Sequence, residues 1–159
     1  MKDKRKIVDT DTYMPVFREL LMQGKKVFLT ITGNSMSPFL IHGRDQILIA
    51  PPEGNWKKGD MAFFVRDNGK YVMHRICRVD KEGNCYFVGD AQVQVEGPIA
   101  PEQIFGKIIS VQRKGKWIGP EDFWWRFFER IWIRMIPLRP LVRTVYGMVW
   151  RIKAFCGII

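Results

Sequence analysis

Val27-Phe28-Leu29-Thr30-Ile31-Thr32-Gly33-Asn34-Ser35-Met36-Ser37-Pro38 joins an apolar, β-branched run directly to a turn that carries a serine. The run up to Thr32 predicts a strand, because β-branched and aromatic residues favour extended backbone. Gly33 and Asn34 predict a tight bend, and Pro38 fixes its own φ and removes a donor. Ser35 is therefore a candidate nucleophile with an exposed hydroxyl. The alternative is an ordinary turn, in which Gly, Asn, Ser and Pro are the common residues.

Short apolar runs separated by turns continue to about residue 118. They predict strands at 46–50, 61–65, 71–79, 85–88 and 104–112. The turn Asp67-Asn68-Gly69-Lys70 between two of them is a strong hairpin signal. Closely spaced strands without intervening helices predict a mainly β, antiparallel core over residues 27–118. Residues 1–26 are read as a basic segment followed by a short helix, 11–22.

Length, charge and cysteine content narrow the class of protein. A chain of 159 residues with 47% apolar residues is long enough for one domain with a core and an appendage. The formal net charge of +10 indicates an anionic partner, either nucleic acid or a membrane surface. Three cysteines and two histidines, without paired spacing, predict reduced core thiols, no metal and no cofactor.

Residues 119–159 form a tail with a different composition. Arginines recur there at every fourth residue among Trp, Phe and Ile, which predicts a basic amphipathic helix with a broad apolar face. Such a helix suits the headgroup region of a bilayer. The residues expected to bind the membrane are Trp124, Trp125, Phe128, Trp132, Arg126, Arg130 and Arg134. Arg139, Arg143 and Arg151 around Gly147 predict a second helix of this kind.

The tail has two alternatives to membrane binding. Its aromatic faces could pack on the β core instead. Nucleic-acid binding is disfavoured because the rings are clustered, and are not interleaved with basic residues as stacking platforms. No run of 18 apolar residues predicts a spanning helix, and the charged start shows no signal-peptide pattern. We therefore expect peripheral association with a membrane, by default on its cytoplasmic face; the oligomeric state stays open.

A serine hydroxyl becomes a nucleophile only with a base within hydrogen-bond reach. His74 is the candidate, because it lies inside an apolar strand where an unpaired imidazole is costly to bury. A hydrogen-bonded structural histidine is the alternative. His42, in a turn beside Gly43, is expected to be solvated.

Six segments, taken in order, resemble the sequence boxes of the type I signal peptidases. They are Gly33-Asn-Ser-Met-Ser-Pro38, Gly43-Arg-Asp-Gln-Ile-Leu-Ile49, Gly59-Asp-Met-Ala-Phe-Phe64, Val72-Met-His-Arg-Ile76, Gly89-Asp90 and Phe105-Gly-Lys-Ile-Ile109. Most bacterial members carry Lys at the position of His74. His followed by Arg resembles the branch found in the endoplasmic reticulum, archaea and some sporulating bacteria.

The resemblance implies a mostly β serine endopeptidase, with a coiled antiparallel sheet, that cleaves after small side chains in an extended leader or precursor peptide. It maps Ser35 to the nucleophile, His74 to the base and Asp90 to the residue that orients the imidazole. A second acid downstream would at best be Glu96. We expect the Ser35 backbone N–H to bind the oxyanion and Met36 to line the substrate-side pocket or the core.

Two other functions remain open at this point. The repressor autopeptidases share this fold, but they use a Lys base and usually carry a DNA-binding domain, for which no segment here fits. A non-catalytic module that binds membranes or protein partners through its basic tail is the third possibility.

Overall fold

The structure is a computed structural model that describes residues 10–142 and 144. It confirms the predicted class: a mainly antiparallel β sheet with a short N-terminal helix and helical turns at the C-terminal end. In chain order the main elements are α1 (Thr10–Met22), β1 (Val27–Thr30), β2 (Gln46–Ala50), β3 (Met61–Val65), β4 (Tyr71–Val79), β5 (Cys85–Val88), β6 (Glu96–Ile99), β7 (Ile104–Arg113), β8 (Lys116–Ile118) and α2 (Phe123–Arg126). A 3₁₀ turn, Pro101–Gln103, precedes β7.

The strands form one sheet in the order β1-β2-β7-β3-β4-β5-β6, with β8 also paired to β7. β1 lies at one end of this sheet and pairs only with β2 within the described residues. β4 pairs with β3 along Tyr71–Arg75 and with β5 along Arg75–Val79. The first half of β4, which carries His74, therefore has one edge on which the described chain places no strand.

The largest group of buried apolar side chains joins α1, the strands β1, β2 and β7, and the turn after β1. Phe39 and Leu40 of that turn are fully buried. The ring of Phe39 packs against Trp125 at 6.2 Å and Phe128 at 4.8 Å between centroids. The turn that carries Ser35 is thus held by apolar anchors that reach from the sheet to the tail. A second cluster lies between β3, β4 and β5.

The tail differs from the predicted continuous amphipathic helix. After α2 the chain passes through a π-helical turn, Phe127–Ile131, and two 3₁₀ turns, Trp132–Arg134 and Ile136–Leu138. Pro137 lies in the first turn of the last 3₁₀ segment, where its missing N–H breaks no helical hydrogen bond. None of the helices in the described ranges is long and apolar enough to cross a bilayer.

The structure corrects part of the membrane-binding prediction. Trp125, Phe128 and Trp132 are only 6%, 4% and 9% exposed and belong to the main core cluster. These rings cannot reach lipid while the tail keeps this packing, so the alternative, in which they pack on the β core, holds for them. Trp124, Arg126, Arg130 and Arg134 are exposed.

Arg139, predicted on the basic face of a second amphipathic helix, is instead buried. Its side chain is 1% exposed and lies beneath the loop that follows β5. Arg143, Gly147, Arg151 and Cys156 lie outside the described residues.

Candidate active site

The turn after β1 places Ser35 at the surface of the core. Ile31 continues the β1 hairpin, since its N–H donates to the Asp45 carbonyl at 2.9 Å and its carbonyl accepts from the Gly43 N–H at 2.8 Å. Gly33 then adopts φ +83°, a left-handed conformation that suits glycine. Its N–H donates to His42 Nδ1 at 2.9 Å. His42 was expected to be solvated, and it also accepts a hydrogen bond from the turn that carries Ser35, which we call the nucleophile turn.

Buried apolar residues anchor the turn that follows Ser35. Met36 is 2% exposed, and its carbonyl accepts from the Leu40 N–H at 2.9 Å in a single helical turn. Ser35 itself is half-buried. The apolar anchors below it thus fix the backbone of the turn and leave the serine at its surface.

His74 lies in β4 opposite Ala62 of β3 and is 4% exposed. Burial lowers the pKa of its imidazole to about 4, an effect that the Glu96 carboxylate opposes. Its Nδ1 is buried without a hydrogen-bond partner in the described structure. Glu96 Oε2 lies 3.9 Å from that nitrogen, beyond hydrogen-bond distance. The imidazole is therefore neutral at pH 7 and able to accept a proton.

Asp90 does not orient the imidazole in this structure, which corrects the role that the resemblance implied. Both of its carboxylate oxygens accept hydrogen bonds from the Arg75 guanidinium at 2.9 Å, and both side chains are fully buried. Arg75 Nη1 also donates to the Gly59 carbonyl at 2.9 Å. Asp90 thus neutralises a buried arginine that ties β4 to the turn before β3.

The loop Gly89–Gln92 packs directly on the nucleophile turn. The Ala91 N–H donates to the Ser35 carbonyl at 2.8 Å. A Cβ atom on Gly89 would lie 2.6 Å from that same carbonyl oxygen, so only glycine allows this approach. The Gly-Asp box therefore shapes the backbone around Ser35.

Ser35 and His74 line one cleft with a volume of about 390 Å³. Leu29, Ile31, Met36, Phe63 and Met73 supply its apolar lining, and Arg66 and Gln92 are among its polar lining residues. The cleft runs between β1 and the first half of β4, two strand stretches that each lack a partner on one side within the described residues. No hydrogen bond joins Ser35 to His74 among the described residues, and in substrate-free enzymes such bonds often tighten only on binding.

Residues 3–109 match the Peptidase S24-like family. The chain belongs to this family. The match spans more than half of the chain and includes Ser35, His74, Asp90 and Glu96. Membership identifies a serine peptidase or autopeptidase-like module with a signal-peptidase-like fold, although some members are non-catalytic. A search of curated proteins gives no match.

The larger groove of this S24-like chain lies next to the cleft and has a volume of about 1010 Å³. Residues 91–97, Pro140 and Thr144 line it, and it shares Arg66 and Gln92 with the cleft. Arg66 Nη2 donates to Glu96 Oε2 at 2.7 Å, and Arg66 Nε donates to Glu96 Oε1. The Arg66–Glu96 pair joins residues 30 positions apart, so no local sequence pattern predicts it.

The described residues contain no cluster of three or more His, Cys, Asp or Glu side chains that could hold a metal ion. Cys77 and Cys85 are free thiols, and burial raises the pKa of Cys85 to about 11. A thiol that keeps its proton at neutral pH is a poor nucleophile. Neither cysteine is among the residues that line the cleft, whereas Ser35 is.

Proposed function

We propose that this chain is a serine endopeptidase that cleaves a leader or precursor peptide by a Ser-His mechanism at a membrane surface, as its resemblance to the signal peptidases implies. One observation carries the proposal: Ser35 and a buried, neutral His74 line the same cleft. Membership of a serine peptidase family is consistent with it.

The cleft suits an extended peptide. A peptide strand can add to an unpaired strand edge through main-chain hydrogen bonds, and pockets for alternate side chains then supply specificity. Here β1 and the first half of β4 offer such edges on either side of the cleft. Met36 lines the cleft while almost fully buried, so we assign it to the wall of a narrow apolar pocket that accepts small side chains.

In the proposed reaction, the Ser35 hydroxyl attacks the scissile carbonyl and transfers its proton to the neutral His74 imidazole. The backbone N–H of Ser35 donates to the oxyanion that forms on the carbonyl oxygen. The imidazolium then gives its proton to the leaving amine, and the C–N bond breaks to leave an ester on Ser35. Water, activated by the same imidazole, hydrolyses that ester and restores the enzyme.

Glu96 is the carboxylate that we assign to the imidazolium. A protonated imidazole in a buried site needs a nearby anion, and Glu96 raises the pKa of His74 more than Asp90 does. Glu96 Oε2 lies 3.9 Å from His74 Nδ1, so a shift of about 1 Å would form a hydrogen bond. Arg66, which donates to both carboxylate oxygens of Glu96, would limit its orientation.

The test is cleavage of a leader-type peptide with small residues before the scissile bond. Ser35→Ala should slow cleavage by at least about 10³-fold, because the residual rate depends on binding and the oxyanion site alone. Ser37→Ala, in the same turn, is the matched control and should cleave like the wild type. Equal rates for wild type and Ser35→Ala would refute the proposal.

Membrane association rests on the part of the tail that stays exposed. Phe123 and Trp124 are 70% and 52% exposed, and their rings are in contact at 5.4 Å between centroids. Arg126 and Arg130 follow them on the surface. We assign these rings to the lipid interface and the arginines, with Arg134, to anionic headgroups.

Co-sedimentation with vesicles tests this assignment. The wild type should bind vesicles that contain anionic lipid more strongly than zwitterionic ones, and added salt should weaken the binding. Phe123→Ser with Trp124→Ser should abolish most of it, whereas Phe28→Ser, an exposed ring on β1, should not. Unchanged binding in the double variant would contradict the assignment.

A further inference from the structure

Arg139 reaches from the tail into the loop after β5. It is 1% exposed, and its Nη1 donates to the carbonyls of Gly89 at 2.8 Å and Gln92 at 2.6 Å. Its Nη2 donates to the Trp132 carbonyl at 3.2 Å. One guanidinium therefore links both ends of the loop Gly89–Gln92 to the backbone of the tail.

Trp132 adds another donor to the same loop. Its indole Nε1 donates to the Asp90 carbonyl at 2.9 Å, and its ring lies 5.3 Å from the Arg139 guanidinium. The carbonyls of Gly89, Asp90 and Gln92 thus all accept hydrogen bonds from two side chains of the tail. Both of these residues lie beyond the family match, which ends at residue 109.

The same loop holds the nucleophile turn from the other side. Ala91, between the carbonyls that the tail holds, donates its N–H to the Ser35 carbonyl at 2.8 Å. Asp90 binds Arg75, the neighbour of His74 in β4. The loop is therefore the common contact of the serine turn, the histidine strand and the tail.

Filling space does not account for a buried arginine at this position. Burial lowers the pKa of Arg139, a sign that the charged form is poorly solvated there, and its Nε has no hydrogen-bond partner in the described structure. An apolar side chain could fill the same volume without the cost of burying a charge. A planar fork that donates to several carbonyls at once is what arginine supplies and lysine does not.

We propose that Trp132 and Arg139 are positioning residues that place the Ser35 hydroxyl for attack. They act through the loop Gly89–Gln92 and its hydrogen bond from Ala91 to Ser35. This inference rests on the proposed peptidase function and adds that the tail, beyond the matched family segment, is part of the catalytic unit.

The experiment follows acylation of Ser35 by a fluorophosphonate, by intact mass, over a range of reagent concentrations. Trp132→Phe removes one donor and keeps a ring, and Arg139→Lys keeps the charge without the fork. Each should lower the limiting acylation rate about 10- to 100-fold, because small misplacements of reacting groups cost that much. The half-saturating concentration should change by less than about threefold, since uniform binding is untouched. Trp117→Phe and Arg78→Lys, which change exposed side chains of β8 and β4, should match the wild type.

Amide hydrogen exchange separates positioning from loss of stability. Exchange should accelerate at Ala91 and over residues 33–37 in both variants, but not in β5. Wild-type acylation rates in both variants would overturn the inference and leave the proposed function intact. The inference would also be overturned if amide exchange became faster throughout both variants while each folded molecule was still acylated at the wild-type rate. If Arg139→Lys does not fold, the acylation rate of Trp132→Phe alone tests the inference. A wild type that forms no adduct would overturn the proposed function, and this inference with it.

Discussion

The position of the His74 ring in β4 sets its protonation state. It is packed 6.3 Å from the Phe64 ring, centroid to centroid, and its Nδ1 has no hydrogen-bond partner among the described residues. A buried imidazole without a partner stays neutral, because its charged form is poorly solvated. A neutral imidazole is the form that a general base requires.

Unfolding experiments over a range of pH test this state of His74. Its pKa is about 4 when folded and about 6.5 when unfolded, so the unfolded state takes up the proton first as pH falls. The contribution of neutral His74 to the free energy of unfolding is fully present above pH 6.5 and is lost as the pH falls through about 4. We expect a loss of about 3 kcal/mol in the free energy of unfolding over this window. His74→Gln, which cannot titrate, should lack it, and equal pH slopes for both proteins would contradict the low pKa.

Asp90 and Glu96 should differ in what their neutral variants lose. Asp90→Asn removes one charge of a fully buried ion pair, so we expect about 3 kcal/mol lower stability in chemical denaturation. Asp60→Asn removes a more exposed partner of Lys107 and should cost less than about 1 kcal/mol. A stable Asp90→Asn protein with an altered pH profile of activity would instead restore the catalytic role of Asp90.

Glu96→Gln should act on the reaction more than on the fold. Glu96 is partly exposed and pairs with Arg66, so its loss should change the melting temperature little. The rate of Ser35 acylation should fall by about tenfold or more, because the imidazolium loses its anion. A wild-type acylation rate in Glu96→Gln would exclude Glu96 from the mechanism.

At the scale of elements, the nucleophile turn depends on the loop after β5. Gly89 lies so close to the Ser35 carbonyl that a methyl group would displace one of the two segments. Gly89→Ala should therefore lower stability by about 1–3 kcal/mol and slow Ser35 acylation. Gly119→Ala, where the nearest atom would be 3.8 Å from the new Cβ, is the matched control. Equal effects of the two substitutions would show that the close contact has no consequence.

Most strands could be predicted because their apolar runs are bounded by turn residues. β6 and β8 were missed, since Glu96-Gly-Pro-Ile99 carries two strand-breaking residues and Lys116–Ile118 is only 3 residues long. The partner of Asp90 was missed for another reason. Arg75 lies 15 positions before Asp90 and next to His74, and no local pattern tells which of these two neighbours the carboxylate binds.

The tail shows where a periodic pattern is ambiguous. Apolar residues repeat in the same way whether a helical face packs on a sheet or on a membrane. Trp125 and Phe128 pack against Phe39, so these two rings face the sheet and not a membrane. No local sequence pattern indicates this contact. The hydrogen bonds of Arg139 likewise join residues about 50 positions apart in the chain.

For the whole molecule, the candidate site is assembled from three distant parts of the sequence. β1 and its turn supply Ser35, β4 supplies His74, and the tail supports the loop that joins them. The tail also carries the exposed rings that we assign to a lipid surface. A peptidase arranged in this way would hold its cleft and its membrane contact on one apolar core.

Intact-mass analysis of the chain after treatment with a serine-directed fluorophosphonate tests the central claim most directly. The account predicts a single adduct on the wild type and on Ser37→Ala, and its loss in both Ser35→Ala and His74→Gln. An adduct that persists in Ser35→Ala, or a folded wild type that forms none, would contradict an active Ser35–His74 pair.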